Sequence, residues 1–277
     1  MDLAPEIERN VRAALAEDVG SGDLTAPLVS PGKRARAAVL CRRQAVLCGQ
    51  PWFEASLRHL DPSVRIAWSV PEGASVAAGA RVCSVEGAAR ALLAGERVAL
   101  NFLQTLSGVA TVARRYVEAI AGTRAKIVDT RKTLPGLRLA QKYAVRIGGG
   151  ANHRLGLYDA MLIKENHIAA AGGIRQAVTQ ARKLANTGDW IQVEVENLDQ
   201  LREALDAGAT MILLDNMGIE PMREAVRIAG DRAELEASGG ITLENVRAIA
   251  ETGVHRISVG VLTKDLTAAD FSMRFDA

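Results

Sequence analysis

The sequence predicts an α/β chain of two domains, an α+β module followed by a barrel or partial barrel of about six parallel strands. Its 277 residues are long for one compact core and suit a barrel-type domain with a smaller companion. From Lys126 onward, apolar strand-like runs alternate with helical segments. Repeated β-then-α units demand right-handed parallel crossovers, and six in succession favour a barrel over an open doubly wound sheet. The open sheet stays the alternative, because strand order is not readable from one sequence.

The elements follow in order. Ile7, Val11, Leu15 and Val19 repeat at helical spacing after Pro5, and the Gly20-Ser21-Gly22-Asp23 turn should stop that helix. Ala35 to Cys48, Val64 to Val70 and Arg81 to Glu86 read as strands between Gly/Pro turns, with a helix from Pro51 to Leu60. A long helical region, Ala88 to Ala121, carries an expected break at Ser107-Gly108. The strand-like runs of the second half are Lys126 to Val128, Ala160 to Ile163, Ile191 to Val193, Met211 to Leu214, Ala233 to Ala237 and Arg256 to Val259. Helical segments at Ile174 to Leu184, Leu198 to Ala207, Pro221 to Ala229 and Leu243 to Glu251 fill most of the gaps.

Bulk properties narrow the function. A formal charge of +2, from 34 basic and 32 acidic residues, gives no global field for nucleic acid or acidic membranes, so any cation cluster is local. Cys41, Cys48 and Cys83 are odd in number and lack CxxC spacing, which suggests reduced thiols in core positions and no zinc site. The acidic start, Asp2 and Glu6, is unlike a signal peptide, and no uncharged apolar run approaches a membrane span; a cytoplasmic protein is expected.

The densest chemistry lies in Asp129-Thr130-Arg131-Lys132-Thr133, Asn152-His153-Arg154 and Lys164-Glu165-Asn166-His167, which gather four cations and two imidazoles near predicted strand ends. Barrel sites collect at the C-terminal ends of strands, so these donors suit a polyanionic small molecule. Glu194 and Asp215 end successive runs, where hard carboxylates fit magnesium shared with phosphates, or sugar hydroxyls. Ser238-Gly239-Gly240 leads from a strand toward a helix, and Gly260 ends the next run; both suit a phosphate, as both also suit plain turns. Arg131, Lys132, Arg138, Lys142 and Arg146 read equally well as a solvated face.

Together these motifs resemble the quinolinate phosphoribosyltransferase family, the decarboxylating nicotinate-nucleotide pyrophosphorylases of NAD biosynthesis. The resemblance spans nearly the whole chain, from Glu17-Asp18-Val19-Gly20-Ser21-Gly22-Asp23-Leu24-Thr25 and Glu96-Arg97-Val98-Ala99-Leu100-Asn101-Phe102, through the clusters above and Gly149-Gly150-Ala151, to Leu213-Leu214-Asp215-Asn216 and Ala237-Ser238-Gly239-Gly240. It implies an N-terminal α/β sandwich with its linking helix over 1–108, an incomplete barrel over 109–264, and a tail, 265–277, packing back on the first domain. It also implies a homodimer, or a larger assembly of dimers, with Arg97 reaching the partner's site.

By the same resemblance, Arg97, Arg131, His153, Arg154 and Lys164 hold the two carboxylates of quinolinate, and Lys132 and Lys164 lie near the pyrophosphate of phosphoribosyl pyrophosphate. Glu194 and Asp215 face the ribose hydroxyls and Mg2+, while Ser238, Gly239, Gly240 and Gly260 cradle the 5-phosphate. Lys132, Lys164, Glu194 and Asp215 make up the implied catalytic set. Rival readings are a molybdenum-associated paralogue, a nicotinate-specific transferase, a barrel aldolase using Lys164 as a Schiff base, and a basic nucleic-acid groove. The last has only Tyr143 and Tyr158 as aromatics near the cations.

Overall fold

The computed structural model describes residues 2–186 and 189–276; Met1 and Ala277, the outer limits of the predicted first domain and tail, lie outside them. The chain divides into two compact units, Met1–Arg114 with Thr133–Gly149 and Thr263–Ala277, and Arg115–Lys132 with Gly150–Leu262. The described residues form strands β1 (Arg34–Cys41), β2 (Ala45–Val46), β3 (Arg65–Trp68), β4 (Ser75–Val76), β5 (Arg81–Ala88), β6 (Lys126–Val128), β7 (Met161–Ile163), β8 (Ile191–Val195), β9 (Met211–Asp215), β10 (Glu234–Ser238), β11 (Arg256–Ser258) and β12 (Phe271–Phe275).

In the first unit an antiparallel sheet has the order β12-β1-β5-β3. Val39, Val82 and Val85 of that sheet pack with Phe53 and Leu57 of the helix Gln50–Leu60 and with Leu92, Leu100 and Leu103 of the helix Ala89–Ala119. One strand was expected over Ala35 to Cys48. It divides into β1 and β2, because the polar triplet Arg42, Arg43 and Gln44 turns outward to solvent. The first helix, Ala4–Val19, buries Val11 and Leu15 and ends at Gly20, whose φ of 53° is open to glycine without strain.

The expected helix break at Ser107-Gly108 does not occur; Ala89–Ala119 is continuous. Small residues stand there because other backbone comes close. The Ser107 hydroxyl donates to the Cys48 carbonyl at 3.0 Å and accepts from the Cys48 N–H at 2.9 Å. A Cβ on Gly108 would overlap the Thr267 carbonyl, with Ala268 Cα 3.2 Å away. Close approach, and not helix termination, accounts for both residues.

The second unit carries a parallel sheet in the order β6-β11-β10-β9-β8-β7. This is the circular order of a barrel with one seam left open, between β6 and β7; a doubly wound sheet would reverse direction at a switch point. Helices Ile174–Leu184, Leu198–Asp206 and Ile219–Ala229 follow strands as expected. The expected helix Leu243 to Glu251 is shorter, Val246–Ala250. Shorter helices are found at Arg138–Ile147 (first unit), Glu165–Ala171 (second unit) and Val261–Lys264, with a 3-10 turn at Ala26–Leu28. Among the described residues no helix is long and apolar enough to cross a membrane.

Two outcomes check this packing. Gly108→Ala should lower the urea midpoint, because overpacking of about 1–3 kcal/mol outweighs the helix-propensity gain of about 1 kcal/mol; a stabilised variant would contradict the close approach. Cys41, Cys48 and Cys83 are buried and free. Burial raises each thiol's pKa, Cys83 to about 12. A chromogenic thiol reagent at pH 8 should therefore label none of the three until denaturant is added.

Candidate active site

The open seam decides where the key loop goes. Ala151 makes a parallel bridge to Val128, donating to the Ile127 carbonyl at 2.8 Å and accepting from the Asp129 N–H at 3.2 Å. The segment thus lies along the free edge of β6 like a one-residue strand. Just beyond it the wholly buried Asp129 carboxylate accepts from Asn152 Nδ2 at 2.6 Å and from the His153 N–H at 2.9 Å. A buried carboxylate needs such donors, and here they fix the course of the chain. His153 and Arg154, each 8% exposed, turn inward as a result.

They meet the strand ends in a cavity of ≈ 590 Å³ lined by Arg131, Lys132, His153, Arg154, Lys164, Glu194, Asp215, Ser238, Gly239 and Gly240, among others. Ten of the predicted site residues are therefore brought together in one unit of the chain. Two are placed otherwise. Gly260 lies two residues past β11 and is not in the lining, whereas Ser258, the last residue of that strand, is. Arg97 is exposed on the helix Ala89–Ala119 of the first unit. His167, counted with the cations in the sequence, also stays out of the lining. Its Nδ1 accepts from the Lys164 N–H at 3.0 Å and caps the helix Glu165–Ala171.

The cations are held in different ways. Burial lowers the Arg154 guanidinium pKa, Arg131 adds to that, and Asp159 opposes it; an arginine nonetheless stays charged. Asp159 is itself fixed by the N–H groups of Leu155 and Gly156, at 2.7 and 2.9 Å. Lys164 Nζ donates to Glu194 Oε2 at 3.1 Å across β7 and β8. With the lysine side chain 49% exposed, that pair adds little to stability and is open to exchange for a ligand anion.

The floor is a buried polar network. His153 Nδ1 accepts from the Arg154 N–H at 2.8 Å, so in the neutral ring the proton sits on Nε2, 3.0 Å from Gln192 Oε1. Gln192 Nε2 donates to Glu236 Oε2 at 3.1 Å, and Arg256 Nε lies 3.0 Å from the same oxygen. The His153 ring also stands edge-on to Trp190, with centroids 5.0 Å apart. Glu236 and Gln192 escaped the sequence reading, since single polar residues inside apolar strands carry no local signal. Asp129 and Asn216 were visible as motif members, but their tasks were not.

The Ser238-Gly239-Gly240 turn differs from expectation in one respect. It does not open directly into a helix. Residues 241–245 intervene, tied by Asn245, which accepts from the Thr242 N–H and donates to the Gly240 carbonyl, each at 2.8 Å. With φ values of 95° and 60° at Gly239 and Gly240, the turn's own backbone, and not a helix dipole, faces the cavity.

This arrangement agrees with what the chain is similar to. Residues 23–107 match the family model described as the quinolinate phosphoribosyl transferase N-terminal domain, and residues 109–274 match that of its C-terminal domain. The chain belongs to the quinolinate phosphoribosyltransferase family. It is 42% identical over 257 residues to a probable nicotinate-nucleotide pyrophosphorylase [carboxylating] of Bacillus subtilis, covering 93% of this chain and 89% of that one. It is 37% identical over 286 residues to quinolinate phosphoribosyltransferase [decarboxylating] 1 of Nicotiana glauca, covering 96% and 81%. Among solved structures, the nicotinate-nucleotide pyrophosphorylase of Francisella tularensis superposes with a TM-score of 0.95 at 46% identity, covering 98% of this chain and 96% of that one. The open barrel and antiparallel N-terminal sheet are thus those of the quinolinate phosphoribosyltransferases.

Removing the seam's anchor should be costly. Asp129→Ala removes a buried acceptor of the His153 N–H and the Asn152 amide, and about 1–3 kcal/mol of stability should be lost, read as a lower urea midpoint. An unchanged midpoint would mean that other contacts hold the segment.

Proposed function

We propose that the cavity of the second unit binds quinolinate and phosphoribosyl pyrophosphate side by side. As a quinolinate phosphoribosyltransferase the chain is a pentosyltransferase. It moves the phosphoribosyl group to quinolinate with loss of CO2, giving nicotinate mononucleotide and pyrophosphate, a step of NAD biosynthesis. The observation that carries the placement is the pairing of Arg131, Lys132, Arg154 and Lys164 with Glu194 and Asp215 in a single cavity. Such a wall suits a ligand pair with anionic ends and a sugar between them.

In this reading Arg131, His153, Arg154 and Lys164 hold the pyridine carboxylates, and Lys132 with Lys164 receives the pyrophosphate. Arg97 of a partner subunit completes the carboxylate site in a homodimer. Ser238, Gly239 and Gly240 hold the 5-phosphate. The pyridine nitrogen is already nucleophilic, so attack at the anomeric carbon needs no general base. It needs stabilisation of charge that develops on the departing pyrophosphate and on the oxocarbenium-like ribose, from Lys132 and Lys164 on one side and Glu194 and Asp215 on the other. The C–N bond forms as the C–O bond to pyrophosphate breaks. The ring nitrogen then carries positive charge, which stabilises the carbanion left when the adjacent carboxylate departs as CO2; a proton on that carbon completes the product.

The donor set fits Mg2+. Glu194 and Asp215 are hard oxygen donors near the C-terminal ends of adjacent strands. Among the described residues no cluster of three or more His, Cys, Asp or Glu side chains forms a metal site. Mg2+ held by one or two carboxylates plus substrate oxygens matches that pattern, and it would supply charge for the leaving pyrophosphate. Action in the cytoplasm is part of the same proposal.

Purified protein with quinolinate, phosphoribosyl pyrophosphate and Mg2+ should form nicotinate mononucleotide and CO2 in equal amounts, and chelation should stop it. Activity with nicotinate and none with quinolinate would overturn the reading. Arg154→Ala should lower kcat/KM for quinolinate by about one to two orders of magnitude, the worth of a charge-assisted hydrogen bond. If Arg97 completes a partner's site, mixing inactive Arg97→Ala and Lys164→Ala proteins should restore activity through hybrid dimers. Failure of hybrids to regain any activity would place Arg97 elsewhere.

A further inference from the structure

The geometry points to Asn216 as a positioning residue for the phosphoribosyl substrate, one that locks the Asp215 carboxylate to the Ser238-Gly239-Gly240 turn. This rests on the reading of the cavity given above, and adds a residue to which that reading gives no task. Asn216 has a φ of 53°, the positive-φ position among the described residues that is not glycine. Asparagine tolerates this left-handed conformation better than most side chains, yet glycine tolerates it best. The choice of asparagine therefore asks for a reason in the side chain.

That reason is visible on both sides of the residue. Asn216 Nδ2 donates to Asp215 Oδ2 at 2.9 Å, which fixes one oxygen of the carboxylate and leaves the other for a ligand. The Asn216 N–H donates to the Ser238 carbonyl at 3.0 Å. Its side-chain amide lies against the face of Gly239. A Cβ on that glycine would overlap Asn216 Oδ1, with Cγ 2.7 Å and the backbone nitrogen 3.1 Å away.

β9 and β10 are paired with Asp215 opposite Ser238, so the left-handed turn at Asn216 lets its amide lie across the gap between the two strand ends. Asp215, Asn216, Ser238 and Gly239 all line the cavity. One residue thus sets the relation between the carboxylate assigned to the ribose and the turn assigned to its phosphate, its side-chain amide bonding Asp215 and packing on Gly239 while its N–H bonds Ser238. Strained backbone is kept where surroundings over-determine it, and here they are the parts of a single substrate site.

The test compares Asn216→Gly and Asn216→Asp with the wild type. Glycine preserves the backbone conformation and deletes the amide. Aspartate keeps size and left-handed tolerance, but sets a second carboxylate against Asp215. Calorimetry with phosphoribosyl pyrophosphate and Mg2+, without quinolinate, reads binding in the absence of turnover. Asn216→Gly should weaken that binding by about tenfold to a hundredfold, the range for a hydrogen bond to a charged group, with Asn216→Asp weaker still. Quinolinate binding and the melting temperature should stay at wild-type values.

Wild-type affinity in Asn216→Gly would overturn the proposal and leave Asn216 as a turn residue. So would an equal loss for both ligands together with a lowered melting temperature, in both variants. Failure of the wild-type enzyme to turn over quinolinate would count against the functional reading instead. The binding comparison would still decide the role of Asn216.

Discussion

The site depends on how the open seam of the barrel is filled. A closed barrel would pair β6 with β7 and leave no room for a loop between them. Here the Val128–Ala151 bridge occupies the free edge of β6, and the buried Asp129 carboxylate clamps the next two residues. A carboxylate taken out of water must be satisfied by donors, and the Asn152 amide and the His153 N–H are two of them. Satisfying Asp129 therefore also delivers His153 and Arg154 to the cavity. The same few atoms close the fold and furnish the cationic wall.

Charge in the cavity is arranged in layers with different mobility. Arg154 is buried and held by packing, by Asp159 nearby and by the Ala160 carbonyl, so it presents a fixed cation. Lys164 is half exposed and paired with Glu194, so it presents a movable one. A fixed arginine suits recognition of a planar carboxylate; a movable lysine suits a pyrophosphate that must bind and then leave. Beneath them, the buried Gln192 and Glu236, bonded to each other, and the half-buried Arg256, ion-paired with Glu236, form a network whose contacts offset part of its desolvation cost. Its effect is to orient the His153 ring.

Much of this was legible in the sequence, for physical reasons. Parallel strands buried on both faces read as apolar runs, so β6 to β11 were each found within a residue or two. Polar residues at their C-terminal ends, Lys164 and Asp215 among them, marked the rim. Less was visible where a residue's task depends on contacts distant in sequence. Gly108 looks like a helix breaker until Thr267 is seen against it, and His167 looks like a ligand until its bond to the Lys164 N–H is seen. The inward course of His153-Arg154 depends on bonds reaching back 24 residues to Asp129, which no local pattern encodes.

In the function proposed above, the cationic wall holds two carboxylates on one ring. The most direct measurement is calorimetric titration of the wild-type protein with quinolinate and, separately, with nicotinate, which lacks one carboxylate. Quinolinate should bind tighter by about tenfold or more, the worth of the additional charge-assisted contacts. Equal affinity for the two acids, or a preference for nicotinate, would contradict it.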